Sequence, residues 1–375
     1  MTLFLLIIFG IYFLLLLALI AGWQKVIKKE RSSSIGKHHT ITVIIPFRNE
    51  MENLAALAND LILQNYPAQQ FSVLFVNDHS DDQSVQLLNQ QIGERINFKI
   101  VSLPDELQGK KKAIDFGINL SDAEIIVTTD ADCRVSSTWL TIINNYFQQD
   151  HTKFVFGGVA IRADSSFFSK LQSLEFASLI GSGAATLALH MPTMCNGANL
   201  AYRRAAYQTV RGFEGNFQIP SGDDEFLMRK IESQFPGSVR FINEQDSVVS
   251  TKSQRRVHDF FQQRIRWAGK WKYNASWSSR LLALMVLLFQ ITWLSVLCLV
   301  FFGEIRGDVA GVVITGKVIP ELIFLYRVVI FMRQKFNPVY FVVLQFVYPV
   351  YVILIGFLSQ VRSYSWKGRS LSHRM

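Results

Sequence analysis

The chain has 375 residues, half of them hydrophobic, and 38 lysines and arginines against 29 acids give a formal net charge of +9. That length exceeds one average domain and leaves room for a catalytic domain beside membrane segments. The basic residues gather beside apolar runs instead of interleaving with aromatics along a soluble face, which excludes nucleic acid as the partner and points to anionic lipid headgroups and a phosphorylated substrate.

Residues 3–22, LFLLIIFGIYFLLLLALIAG, carry no charge, and about 20 such residues of helix cross a hydrocarbon core. A cleaved signal peptide is the alternative, but the segment lacks a basic start and its apolar run is too long for a leader. Lys25, Lys28, Lys29, Arg31 and Lys37 follow against the single acid Glu30, and Arg255, Arg256, Arg264, Arg266, Lys270, Lys272 and Arg280 precede the next apolar run. Basic flanks mark the cytoplasmic side, so the chain between them is expected in the cytoplasm. Cys133, Cys195 and Cys298 are odd in number and lack metal-type spacing. They fit a reducing compartment and imply no disulfide framework.

From residue 41 to about 160, short apolar runs alternate with helix-like stretches: ITVIIPF, then 50–64, FSVLFVND, 81–93, FKIVSLP, 110–120 and EIIVTTD. The alternation predicts a parallel sheet covered by helices on both faces. Ligands bind beyond the carboxyl ends of strands in such sheets. Polar residues collect at those ends: Arg48, Asn49 and Glu50, then Asn77 and Asp78, then Asp130 and Asp132.

Further on, KFVFGGVAI predicts a strand, 167–189 a long helix, TMCNGANLAYRR an extended segment and 223–234 a helix. Over 253–272 the apolar residues Val257, Phe260, Phe261, Ile265 and Trp267 fall at helical spacing, which predicts an amphipathic helix on the membrane surface. Apolar runs at 281–303 and 339–359 are each long enough to cross. Between them, 312–332 holds Lys317, Pro320, Glu321 and Arg327 and is either a third crossing or an interfacial helix. The basic tail with Arg362, Lys367, Arg369 and Arg374 favours two crossings here; Arg333 and Lys335 favour three, the reading adopted.

Asp130 and Asp132 carry the first chemical signal. Carboxylates that close repel and lose hydration unless a cation, a donor cluster or water partners them. After Thr128 and Thr129 at a strand end they suit a hard divalent ion, which would steady a departing diphosphate. Asp130 capping the next helix, with Asp132 solvated, is the plain alternative. Lys110, Lys111 and Lys112 open a helix against its dipole, which a bound phosphate would explain; a solvated basic face is the alternative. Asp223, Asp224 and Glu225 would complement a helix dipole in any protein. His190 and Cys195 read as packing residues, and GSGAAT at 181–186 lies within a helix-like run, not a phosphate loop.

Taken in order, TVIIPFRNEMENL, VLFVNDHSDDQS, GKKKAIDFGI, IIVTTDADC, CNGANLAYRR, SGDDEFL and QQRIRW resemble, over residues 40–270, the membrane-bound family-2 glycosyltransferases, the set that includes cellulose, hyaluronan and ceramide glucosyl transferases. The resemblance implies an α/β domain of GT-A type with a Rossmann-like mixed sheet over 40–252. A transmembrane helix over 1–22 precedes it. An interfacial helix over 253–278 with the Gln-x-x-Arg-Trp block and a membrane region over 281–361 of two or three spans follow.

The activity it implies is transfer of a sugar, with inversion, from a nucleotide-sugar, by resemblance a UDP-sugar with Mg2+ or Mn2+, to a lipid or glycan hydroxyl. Residue by residue, Arg48, Glu50 and Asp78 would hold the nucleoside, Lys110 the donor phosphates, and Asp130 and Asp132 the metal with the diphosphate. Asp224 would be the base, with Asp223 and Glu225 raising its pKa. Asp223, Gln263, Arg266 and Trp267 would serve the leaving group and the acceptor. Asn77 departs from the family, which usually has an acid there, and His79 reads as a turn histidine. Gly197 is expected to permit close backbone approach on the acceptor side. So few spans suit single transfer or short extension. A nucleotidyltransferase attacking the α-phosphate and a non-catalytic nucleotide-sugar-binding membrane subunit are the rival readings.

Overall fold

The computed structural model describes residues 2–28, 36–219, 221–270, 277–361, 364–366 and 369–371. Lys29, Arg31, Lys272, Arg362, Lys367 and Arg374, which enter the orientation reading, lie outside them, as do residues 271–276 of the expected surface helix. In chain order the first half holds α1 (Thr2–Lys28), β1 (Ile41–Phe47), α2 (Leu54–Ile62), β2 (Phe71–Asn77), α3 (Ser84–Ile92), β3 (Phe98–Ser102), α4 (Lys110–Asn119), β4 (Ile125–Thr128) and α5 (Trp139–Tyr146). Then come β5 (Phe154–Gly157), β6 (Val159–Arg162), α6 (Phe167–Ala188), β7 (Leu200–Arg203), α7 (Arg204–Thr209), α8 (Asp223–Gln234), β8 (Val239–Ile242) and β9 (Val249–Lys252). The chain continues through α9 (Val257–Gly269), α10 (Trp277–Phe301), α11 (Gly307–Phe331) and α12 (Pro338–Val361).

Two compact units divide the chain: Lys28–Arg162 with Met194–Lys252, and Met1–Ile27 with Ala163–Thr193 and Ser253–Met375. Ala163–Thr193 lies inside the stretch read above as one domain, yet it groups with the apolar helices.

The first unit is built on a seven-stranded sheet in the order β3-β2-β1-β4-β7-β5-β8. β1 sits between β2 and β4, parallel to both, and its β-branched residues are buried on either face: Ile41, Val43, Ile44 and Ile45. Such a run suits a central parallel strand, where both faces are covered. β7 runs antiparallel to β4 and to β5, so the sheet is mixed. This is the fold class the resemblance implied. A short parallel pair, β6 with β9, stands apart from it, and Arg134 bridges to Ser250 on β9.

Among the described residues, the second unit contains four helices long and apolar enough to cross a membrane: Leu3–Lys28, Arg280–Phe301, Gly307–Phe331 and Pro338–Ser359. Residues 312–332, left open between a crossing and an interfacial helix, fall almost wholly within α11. Two of its charges are paired inside, while Arg327 is exposed: Lys317 Nζ donates to Glu321 Oε2 (2.8 Å) and Gln345 Oε1 (2.5 Å), and Tyr12 Oη to Glu321 Oε1 (2.6 Å). Paired this way, ionisable groups are tolerated in an apolar helix. α6 is started by Ser166, whose hydroxyl accepts from Ser169 N at 3.1 Å. Within the apolar stripe of α9, Phe260 packs on Phe168 of α6 and Tyr351 of α12, and Ile265 on Ile355 of α12, while Val257 is exposed.

Candidate active site

The turns after β1 and β2 are laced together. Asn49, at φ 53, donates through Nδ2 to Asp81 Oδ1 (2.6 Å), while Asp81 N donates back to Asn49 Oδ1 (3.0 Å). Arg48 Nη1 donates to the main-chain oxygens of Asp78 (3.0 Å) and His79 (2.6 Å), and Glu50 Oε2 accepts from Asn53 Nδ2 (2.5 Å). Asn77 is buried and accepts from Ser80 N at 2.9 Å, holding the β2 turn. His79 sits in that turn at φ 58, with its ring against Asp78 Oδ1. Asp78 is almost fully buried, and its other oxygen accepts from Gly109 N at 3.1 Å, immediately before α4.

At that helix start one strand-end acid, Asp130, meets the α8 acid Asp223 on a lysine. Lys110 Nζ stands 2.7 Å from Asp130 Oδ1 and 3.2 Å from Asp223 Oδ2. Burial would lower the Lys110 ammonium, but the Asp130 and Asp223 charges outweigh it and hold it above its ordinary value. Burial likewise would raise Asp223, yet the Lys110 and Lys111 charges keep its carboxyl below the usual carboxylate range.

α8 begins after Gly222, whose φ of 82 is a conformation that glycine adopts without a Cβ penalty. The turn brings Asp223 and Asp224 into the first helical turn, beside Gly197. Gly197 N donates to Asp224 Oδ2 at 3.0 Å, and Glu225 N to Asp224 Oδ1 at 2.7 Å, so both carboxylate oxygens are oriented. A Cβ on Gly197 would stand 3.1 Å from Lys110 Nζ and from Asp223 Oδ2. Glu225 is turned away, buried and paired with Arg229 one helical turn on.

Asp132 is held differently. Thr251 on β9 donates to its Oδ2 at 3.0 Å, and the neighbouring Cys133 thiol is pushed well up, chiefly by burial and then by the Asp132 and Asp130 charges. Among the described residues no group of three or more His, Cys, Asp or Glu is arranged to hold a metal ion. Two carboxylates still suit Mg2+ or Mn2+, because such ions take one or two protein carboxylates and complete their shell with phosphate oxygens and water.

Thus Lys110, Asp130, Asp223 and Asp224 come together, with Asp78 linked to them through Gly109. Gln263, Arg266 and Trp267 belong to α9 in the other unit. There Gln263 Oε1 accepts from Arg264 Nη1 at 2.9 Å, and the Trp267 ring lies 4.3 Å from the Arg264 guanidinium carbon. Thr251 went unnoticed in the sequence; a lone threonine 119 residues from its carboxylate partner gives no local signal.

The seven-stranded mixed α/β sheet, with acids at the carboxyl ends of its parallel strands, is of the GT-A fold class. The fold agrees with that of a mannosyltransferase, PcManGT from Pyrobaculum calidifontis, solved with GDP-Man and Mn2+: TM-score 0.64 over 96% of this chain and 99% of that one, at 16% identity. Residues 42–211, a little under half of the chain, match the Glycosyl transferase family 2 model.

Among curated relatives, Glycosyltransferase AglE of Haloferax volcanii is 34% identical over 100 residues, 27% of this chain and 33% of that protein. A poly-beta-1,6-N-acetyl-D-glucosamine synthase of Staphylococcus aureus is 28% identical over 156 residues, 41% of this chain and 37% of that protein. The matched stretch therefore spans little more than a third of these relatives. The corresponding synthase of Staphylococcus epidermidis is 23% identical over 326 residues, 83% of this chain and 74% of that protein.

Proposed function

We propose that the protein is an inverting glycosyltransferase that moves a sugar from a nucleotide-sugar, a UDP-sugar by the motif resemblance, to a lipid or glycan hydroxyl at the cytoplasmic membrane face, by single transfer or short extension. One observation carries this reading: the ammonium of Lys110 ties Asp130 to Asp223 while Gly197 N orients Asp224 beside them. Asp78 would accept hydrogen bonds from the nucleoside, within a turn braced by Arg48 and near Glu50. Asp130 and Asp132 would hold a divalent cation, which when bound neutralises charge on the departing diphosphate. Lys110 would reach the donor phosphates.

The acceptor oxygen bonds the anomeric carbon from the face opposite the diphosphate, the carbon–oxygen bond to the diphosphate breaks, and the hydroxyl proton passes to Asp224. Gln263, Arg266 and Trp267 keep the leaving-group and acceptor roles their motif assigns. Asp223 holds Lys110 in place and so serves the base side of the reaction.

The test incubates membranes containing the full chain with radiolabelled nucleotide-sugars, with and without chelator, and extracts lipid separately from polymer. UDP-N-acetylglucosamine and GDP-mannose come first, because those sugars stand in the names of a relative and of the structural neighbour. One donor gives metal-dependent label, and Asp224→Asn lowers it by about 10²–10⁴-fold, the usual worth of a general base. Pyrophosphate release would instead identify a nucleotidyltransferase. Donor binding with no turnover, indifferent to Asp224→Asn, would identify a non-catalytic subunit.

A further inference from the structure

We propose that Lys111 is a positioning residue, whose ammonium latches the segment before α8 to the first turn of α4 and so sets where the Asp224 carboxylate stands. This rests on the reading of Asp224 as the base. Lys111 is only 6% exposed, and its Nζ donates to the main-chain oxygens of Asn216 (2.8 Å), Ile219 (2.7 Å) and Ser221 (3.0 Å). An ammonium has three donors, and these carbonyls match them in number.

The residues gripped lead directly into Gly222 and the acids of α8. They form turns, without a strand or long helix to fix their path. The neighbouring lysines act on the same stretch: Lys110 on Asp223, and Lys112 with its Nζ 3.7 Å from the centre of the Phe217 ring. Lys111 Nζ also lies 5.5 Å from the ring centre of Phe226 on α8. A buried cation held by carbonyl dipoles, with the Asp223 charge nearby, is costly to place and costly to strand unpaired. Its removal therefore frees the turns and lets the α8 start drift, whereas the Asp78 side of α4, held through Gly109 N, keeps its own bond.

Hydrogen–deuterium exchange on the purified full chain reads the latch without any donor. In Lys111→Ala and in Lys111→Met, peptides covering residues 213–226 exchange about tenfold faster or more, while those of β1 and β2 are unchanged, as local opening requires. Propylammonium refills the alanine cavity and restores protection, and tetramethylammonium, which cannot donate, does not. In transfer assays Lys111→Ala loses about 100-fold in kcat with donor KM within about twofold, the scale expected of a misplaced catalytic group.

Unchanged exchange in both variants, or acceleration spread equally through β1 and β2, overturns the proposal. Asp224→Asn separates the two readings. It keeps 213–226 protected while transfer is lost; if it keeps transfer, the base assignment fails and the exchange comparison still decides the latch.

Discussion

Gly197 shows how little space the site leaves at the level of single residues. A methyl group there would press on Lys110 and Asp223, whose polar atoms would stand 3.1 Å from it. Gly197→Ala is expected to lower kcat/KM by about tenfold with the unfolding temperature little changed, and Gly197→Val by about 100-fold, since small displacements at a reacting centre are expensive. Steady-state kinetics beside thermal unfolding separates the two effects.

Asp223 adds a pH signature. Its carboxyl is held below the ordinary range in the folded protein, so its stabilising contribution is present above the unfolded value of about 4 and is lost as pH falls through the folded one. Asp223→Asn should cost about 1.5–3 kcal/mol at neutral pH, the worth of a charged hydrogen bond. The gap to the wild type should then narrow on titration below about pH 4, measured by unfolding in detergent.

Among elements, α9 is tied to α6 by a buried ion pair: Arg264 Nη2 stands 2.5 Å from Glu175 Oε2, with both side chains about 5% exposed or less. The same guanidinium lies 4.3 Å from the Trp267 ring and 4.7 Å from that of Phe260. Removing one partner leaves a buried charge alone, so Glu175→Ala is expected to cost about 3–5 kcal/mol. Glu175→Leu combined with Arg264→Met should recover most of that loss in a double-mutant cycle, because an apolar pair of similar size replaces the ions without stranding either.

The periodicity of α9 was legible in the sequence, but its covering was not. An apolar stripe states that something buries it, and here Phe168, Tyr351 and Ile355 do so. The lysine run of α4 taught the same lesson, since a charge pattern does not reveal whether phosphate, carboxylate, carbonyl or water faces it.

For the whole molecule, four helices among the described residues are long and apolar enough to cross a membrane. The basic flanks further predict a cytoplasmic sheet unit. Ile96, at 92% exposure between α3 and β3, gives a readout. With Cys195 and Cys298 changed to serine, Ile96→Cys should react with an impermeant maleimide only after sealed cells are opened. Labelling of sealed cells would place the sheet unit on the outer side.

Much of this protein was written locally. β-branched runs determined the central strands, apolar stretches the long helices, and strand-end acids the rim where the site would lie, because each depends on periodicity or on neighbours within a few residues. Tertiary structure alone decided the reversed β7, the division that takes Ala163–Thr193 away from the sheet, and the partners of each charge: Thr251 for Asp132, the Asn216, Ile219 and Ser221 carbonyls for Lys111, Glu175 for Arg264. These pairings join residues 89 to 119 positions apart, and only closure of the fold brings such groups within hydrogen-bonding reach.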